Sequence, residues 1–193
     1  IKTPILILNY TDAKSLEACV DLNLTLNIMD ENLLRKLDAA ARRKHKIVNI
    51  HVKVDTGLHR LGLLPQDALT YIAKIENYKN IRLEGIFTHF ATSEEKRLDF
   101  TKIQLLKFNT LLDALSKEGV RIPIIHAANS AASLRVPSAY FGMVRAGIIL
   151  YGLYPSHDFT LPFTPKPVMT LKTKIVQLRR IHKGETVGYG RTF

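Results

Sequence analysis

Short apolar runs alternate with longer amphipathic stretches along the first 150 residues. The runs lie near Ile5–Leu8, Leu24–Ile28, Ile47–Val54, Leu83–Phe90, Ile122–His126 and Met143–Leu150. All are strand-sized. The stretches between them read as helices. Asp30 precedes "ENLLRKLDAAARRKHK", with Leu33, Leu34 and Leu37 on one face. Pro65 opens "PQDALTYIAKIENY", where a first-turn proline is well tolerated. "FTKIQLLKFNTLLDALSKEG" sets Phe100, Ile103, Leu106 and Leu111 at helical spacing, and Gly119 stops it.

Strands alternating with helices predict parallel strands joined by right-handed crossovers, in an open doubly wound sheet or a barrel. A closed eight-stranded barrel takes roughly 250 residues, so a barrel here is a partial one with about six strands, its first two missing. After Leu150 the texture changes. "YGLYPSHDFTLPFTPKP" is rich in proline and aromatics. "VMTLKTKIVQLRRIHKGETVGYGRTF" alternates apolar and polar residues around Lys183-Gly184. The expected organisation is therefore a partial α/β barrel over residues 1–155, a linker over 156–166, and the start of an all-β domain over 167–193. The chain opens and closes inside strand-like sequence, so it reads as a piece of a longer protein.

With 193 residues, of which 46% are hydrophobic and 23% charged, the chain can bury a core and does not resemble a disordered segment. The lone Cys19 forms no internal disulfide, in keeping with a reducing, cytoplasmic setting. No signal peptide or membrane-spanning run is visible. The net charge of +11 raises nucleic acid as a partner. Its densest cluster, Leu37 to Lys46, has no aromatic interleaving and suits a solvated helix end, where cations meet the negative pole of the helix dipole. No nucleic acid, membrane or metal partner is expected.

The chemistry gathers at strand ends. In "IHVKVDTGLHRLGL", Val52 and Val54 alternate with His51, Lys53 and Asp55, and Arg60 follows just beyond. His89 closes the fourth run and His126 the fifth, with Asn129 and Ser130 directly after. Taken singly, His89 is a satisfied strand-end histidine, Ser130 a helix cap and Asp55 a turn former. Arg145 lies among apolar neighbours, where a guanidinium is costly unless paired. "HAANSAA" and "RAGI" each put small residues and backbone amides at a strand end. Two such loops point to a phosphorylated cofactor.

"HVKVDTGLHRLG", "GIFTHFATSEE", "HAANSAASLRVP", "MVRAGIILYGLYPS" and "KGETVGYGRTF" occur in order and resemble the successive signature segments of bacterial alanine racemases. The resemblance implies a pyridoxal phosphate (PLP) enzyme with an N-terminal α/β barrel and a C-terminal β domain. It would interconvert L- and D-alanine, supply D-alanine for peptidoglycan and work as a homodimer. It also implies roles. Arg60 would contact the cofactor's phenolic oxygen and the substrate carboxylate, and Lys53, carbamylated in many members, would hold Arg60. His89 would stack near the pyridine ring. Arg145 would meet the pyridine nitrogen, with His126 supporting it. Ser130, Gly147 and Ile148, with Asn129 beside them, would bind the phosphate. Tyr189 would be a catalytic base acting in the partner's site, on the L-face of the substrate, opposite a lysine on the D-face. A cation against the pyridine nitrogen disfavours ring protonation and so limits side reactions. The lysine that carries PLP in this family has no matching segment here, so the chain on its own is expected to be inactive. A PLP-binding barrel without racemase activity lacks a β segment like this one. A related PLP decarboxylase would show Gly-rich and Glu-Pro-Gly-Arg phosphate motifs that are not seen.

Overall fold

The computed structural model describes residues 2–157, 160–161 and 163–192. Ile1, Asp158, Phe159, Pro162 and Phe193, which fall in the expected barrel, linker and β segments, lie outside the described residues. Five strands form one sheet: β1 (Leu6–Ile7), β2 (Thr25–Asn27), β3 (Val48–Lys53), β4 (Ile81–Phe87) and β5 (Ile124–His126). Every neighbouring pair is parallel, and the spatial order is β1-β2-β3-β4-β5. A doubly wound sheet reverses its winding at a switch point. This sheet never does, so it is a half-barrel with helices on its outer side.

On β3, Val48, Ile50 and Val52 belong to the core between sheet and helices. Asn49, His51 and Lys53 alternate with them and face the barrel interior. The charged strand face is thus the inner wall. Helices α1 (Leu16–Asp21), α2 (Glu31–Arg43), α3 (Pro65–Ile75), α4 (Asp99–Lys117) and the short α5 (Ala132–Arg135) follow the strands. The Asp30 Oδ1 accepts from the amides of Asn32 and Leu33 at 2.8 and 3.2 Å, which caps α2. Leu33, Leu34, Leu37, Ala40 and Ala41 then meet the sheet.

Three expectations need correcting. The buried face of α4 is Thr101, Gln104, Leu105, Phe108, Leu111 and Leu115. Phe100, Ile103 and Leu106 are exposed, because the polar Thr101 and Gln104 turn inward to satisfy loop groups below them. The helix α1 was not anticipated; it is under two turns long, too short for a period to show. The sixth strand, Met143–Leu150, shrinks to one parallel bridge between His126 and Met143. Beyond it, Ile148–Tyr151 winds into a 3₁₀ turn, with the Gly147 and Ile149 amides bonded to a side chain rather than to a ladder.

The basic cluster after α2 is tied down locally. Arg43 pairs with Glu17, Lys44 with Asp21, and the Lys46 ammonium donates to the Val20 and Asp21 carbonyls and to Asn23. From residue 163 to 188 the described residues form no helix or strand, and only a 3₁₀ turn at Tyr189–Arg191 follows. Among the described residues no helix is long and apolar enough to cross a membrane.

Candidate active site

The loop after β3 delivers Arg60. The Asp55 Oδ1 accepts from the amides of Gly57, Leu58 and His59 at 2.9–3.1 Å, and the chain then doubles back so that Leu63 bridges to Val54. Burial works against the Asp55 carboxylate, but those amides and His59 hold it below the usual range. Gly62 is needed where the chain returns: a Cβ there would meet the Asp55 amide nitrogen at 2.7 Å.

At the C-terminal ends of the strands lies a cavity of about 520 Å³. Its wall is Leu8, Asn9, Lys53, Arg60, Leu61, Phe87, His89 and Arg145. Four residues singled out from the sequence thus line one space. Phe87 was not among them, yet it lies between two cations. The Lys53 ammonium is 5.8 Å and the Arg145 guanidinium 5.3 Å from its ring centre, within cation–π range. The His126 ring stacks on it at 4.6 Å.

Arg145 is held from several sides. Its Nη1 donates to His126 Nδ1 at 2.6 Å. Its Nη2 donates to the carbonyls of Thr88 at 2.8 Å and Ala127 at 3.0 Å, and meets His89 Nδ1 at 3.3 Å. An arginine only donates, so the facing nitrogens of both histidines are bare acceptors. Behind the wall, Gln104 bonds the His89 carbonyl, the Ala91 amide and Thr56, and Thr56 meets Thr88 at 2.7 Å. These bonds fix the backbone on either side of His89.

Cation density and burial dictate the protonation states. Burial, then Arg145, Arg60 and Lys53, push His89 down to about 4. Burial, then Arg145 and His51, push His126 down to about 2. Burial lowers Arg145 to about 10, which leaves it charged at neutral pH. Lys53 is lowered by burial, then by Arg60 and Arg145. Lys53 is 4% exposed, and among the described residues no acceptor bonds or pairs with it. The pocket is therefore a net-positive space with one neutral imidazole, His89, in its wall and a second, His126, buried behind it.

A second feature lies at the end of the bridge from β5. Ser130 Oγ accepts from the amides of Gly147 at 2.8 Å and Ile149 at 3.5 Å. The Ile149 amide shares this point with Gly147 as the segment winds into its 3₁₀ turn. Ser130 does not cap the following helix. That task falls to Asn129, whose Oδ1 accepts from the Ala132 amide at 3.0 Å and from Ser93 at 2.8 Å. Tyr189 is fully exposed, and among the described residues no bond joins it to the other site residues.

Three comparisons with known proteins bear on this geometry. Residues 1–155 match the family model described as alanine racemase, N-terminal domain. The whole chain is 41% identical to alanine racemase 2 of Caldanaerobacter subterraneus subsp. tengcongensis and 39% identical to alanine racemase 1 of Clostridium acetobutylicum, covering 50% of each. Among solved structures, the alanine racemase of Clostridium difficile 630 superposes over 100% of this chain and 51% of its own, with a TM-score of 0.91 and 35% identity. The chain spans about half the length of the curated relatives it matches.

Proposed function

The chain belongs to the alanine racemase family through its N-terminal domain, and on that premise we propose that the protein interconverts L- and D-alanine, with PLP as cofactor, by two-base proton transfer at Cα. It would thereby supply D-alanine for peptidoglycan. The observation that carries this reading is Arg145, a guanidinium locked by two carbonyls and two imidazoles in the wall of a cationic cavity.

The donor set fits the cofactor. Lys53 is buried near Arg60 and Arg145, which Asp55 offsets only in part, Arg60 faces the same space, and Ser130 gathers the Gly147 and Ile149 amides into a separate cluster. That pattern suits a flat, anionic, phosphorylated molecule. PLP supplies, when bound, the electron sink that stabilises negative charge on the amino acid's Cα. The chain's own residues would do the rest. Arg145 presents a permanent cation to the ring nitrogen. Arg60 binds the substrate carboxylate, and Lys53, carbamylated or not, sets the field around Arg60. His89 packs against the ring as a neutral imidazole. His126 accepts from Arg145 and fixes its plane. Ser130, Gly147 and Ile148, with Ile149, turn donors to the phosphate, and Asn129 holds that loop through the start of α5.

Tyr189 would take or return the Cα proton in a second subunit's site, for which its exposure leaves it available. We read the chain as a barrel domain over 1–155, a linker over 156–166 and a β segment over 167–193; the family match ending at residue 155 supports the first boundary. A cytoplasmic homodimer acting on alanine is the corresponding cellular reading. The test is direct. The full protein, reconstituted with PLP, is given L-alanine, and D-alanine is followed by chiral chromatography. Appearance of D-alanine that is lost in Arg145→Ala supports the reading. PLP-loaded protein that racemises no amino acid overturns it.

A further inference from the structure

Behind Arg145 the polar chain does not end. His126 Nε2 lies 2.8 Å from His51 Nδ1, and His51 Nε2 lies 3.2 Å from Glu84 Oε2. His51 is 2% and His126 0% exposed. Glu84 in turn accepts from Asn49 Nδ2 at 2.6 Å and from Thr25 Oγ1 at 3.4 Å. Side chains of β2, β3, β4 and β5 are thus strung into one line that ends at the guanidinium.

The direction of every bond in that line is forced. Arg145 can only donate, so His126 Nδ1 is bare and its proton is on Nε2. His126 therefore donates to His51, whose Nδ1 must be bare in turn. His51 carries its proton on Nε2 and donates it to the Glu84 carboxylate. One reversed tautomer anywhere would set two N–H groups face to face.

Two backbone features serve this line. Ile50 pairs with Leu83, but His51 pairs with Gly85, so the ladder skips Glu84. The extra residue breaks the alternation and brings the Glu84 carboxylate to the inner side, next to Asn49 and His51. A Cβ at Gly85 would lie 2.4–2.7 Å from three atoms of the His51 ring. The ring occupies the space that only glycine leaves there.

We propose that Glu84 and His51 are positioning residues: Glu84 receives the one N–H that the line leaves at its far end, and so holds His51 and, through His126, the plane of Arg145. The geometry of the line stands by itself; its effect on racemisation rests on the function proposed above. Where a carboxylate holds a metal-ligating histidine, its loss lowers affinity or activity by about 10–100-fold, and the lower end of that range sets the scale expected here.

The test uses the full protein, labelled with ¹⁵N in histidine, and observes the ring nitrogens of His51 and His126 at pH 7 with and without PLP. Both rings are expected as neutral tautomers protonated on Nε2. In Glu84→Leu the His51 Nε2–H loses its acceptor, so its ¹⁵N resonance should move toward that of an unbonded N–H, kcat should fall about tenfold, and KM for alanine should change less than kcat. Glu84→Gln keeps an acceptor oxygen and should restore the wild-type His51 resonance and most of kcat, and it serves also if the leucine variant fails to fold. A wild-type His51 or His126 protonated on Nδ1, or a folded Glu84→Leu with an unchanged His51 resonance and kcat, overturns the inference. So does a Glu84→Gln that restores neither the resonance nor kcat. Wild-type rings protonated on Nε2, with a His51 resonance that shifts in Glu84→Leu, in a PLP-loaded protein without racemase activity, would sustain the chain and sink the proposed function alone.

Discussion

The strand ends around Arg145 and the stretch from residue 163 to Tyr189 are both rich in cations and both alternate apolar with polar residues. They behave oppositely. Around Arg145 the guanidinium bonds groups at the ends of β4 and β5, and His126, Ala127 and Ala128 are fully buried. In the later stretch Leu171, Val176 and Leu178 are almost wholly exposed, and no ladder forms among the described residues. Alternation marks which face a strand would bury. It does not provide the neighbouring strand and helix layer that make burial possible, and those come only from the rest of the fold.

The contrast can be tested first at Tyr189, which contributes nothing to packing here. Tyr189→Phe in the full protein should lower racemisation by about 10²–10⁴, the loss typical of a proton-transfer group, while thermal stability stays unchanged. Solvent deuterium should still enter D-alanine but hardly L-alanine. Undiminished exchange into both enantiomers would make Tyr189 a surface residue only.

The buried region should respond to pH as the exposed one does not. His126 and His89 titrate well below 6.5 when folded, so the unfolded chain takes up protons first as the pH falls. The stability they allow is complete above about pH 6.5. It declines through the range down to about 4 for His89 and further, toward about 2, for His126. Each fully buried neutral imidazole contributes a slope of about 1.4 kcal/mol per pH unit. Denaturant titrations of His126→Gln should show that much less slope between pH 6.5 and 4.5. An identical slope would mean His126 is charged in the fold.

Gly85→Ala sharpens the comparison on the packing side. The added methyl group meets the His51 ring, and such overpacking costs about 1–3 kcal/mol, measurable as a lower denaturation midpoint. Combining it with His51→Ala should recover part of the loss. The smallest effects belong to the exposed stretch: Leu171→Ser or Val176→Ser should change the stability of the 193-residue chain by less than about 0.5 kcal/mol. A cost well above that in the full protein would show the stretch paired into a β domain there.

Much of the fold was legible because its signals are local. Asp30 caps α2, Pro65 begins α3 and Gly119 ends α4, each through its own backbone chemistry. Strand ends pointed to Lys53, His89 and Arg145 for the same reason. What escaped was nonlocal. The inner face of α4 is chosen by loop groups that need Thr101 and Gln104, against the apolar count. Glu84 joins the inner wall only because the ladder skips it, which strict alternation cannot anticipate. Ile149 reaches Ser130 because that segment turns rather than extends.

The sheet's unreversed order also bears on how the chain comes to fold. Every strand pairs with the one just before it in sequence, so no strand must wait for a distant partner. During synthesis each new β-strand and helix can settle on the open edge left by its predecessor, in the order in which the ribosome delivers them. Growth is one-directional, and hydrogen-exchange protection on nascent chains should advance from β1 toward β5. Arg145, arriving last, would then close a pocket whose histidines are already in place.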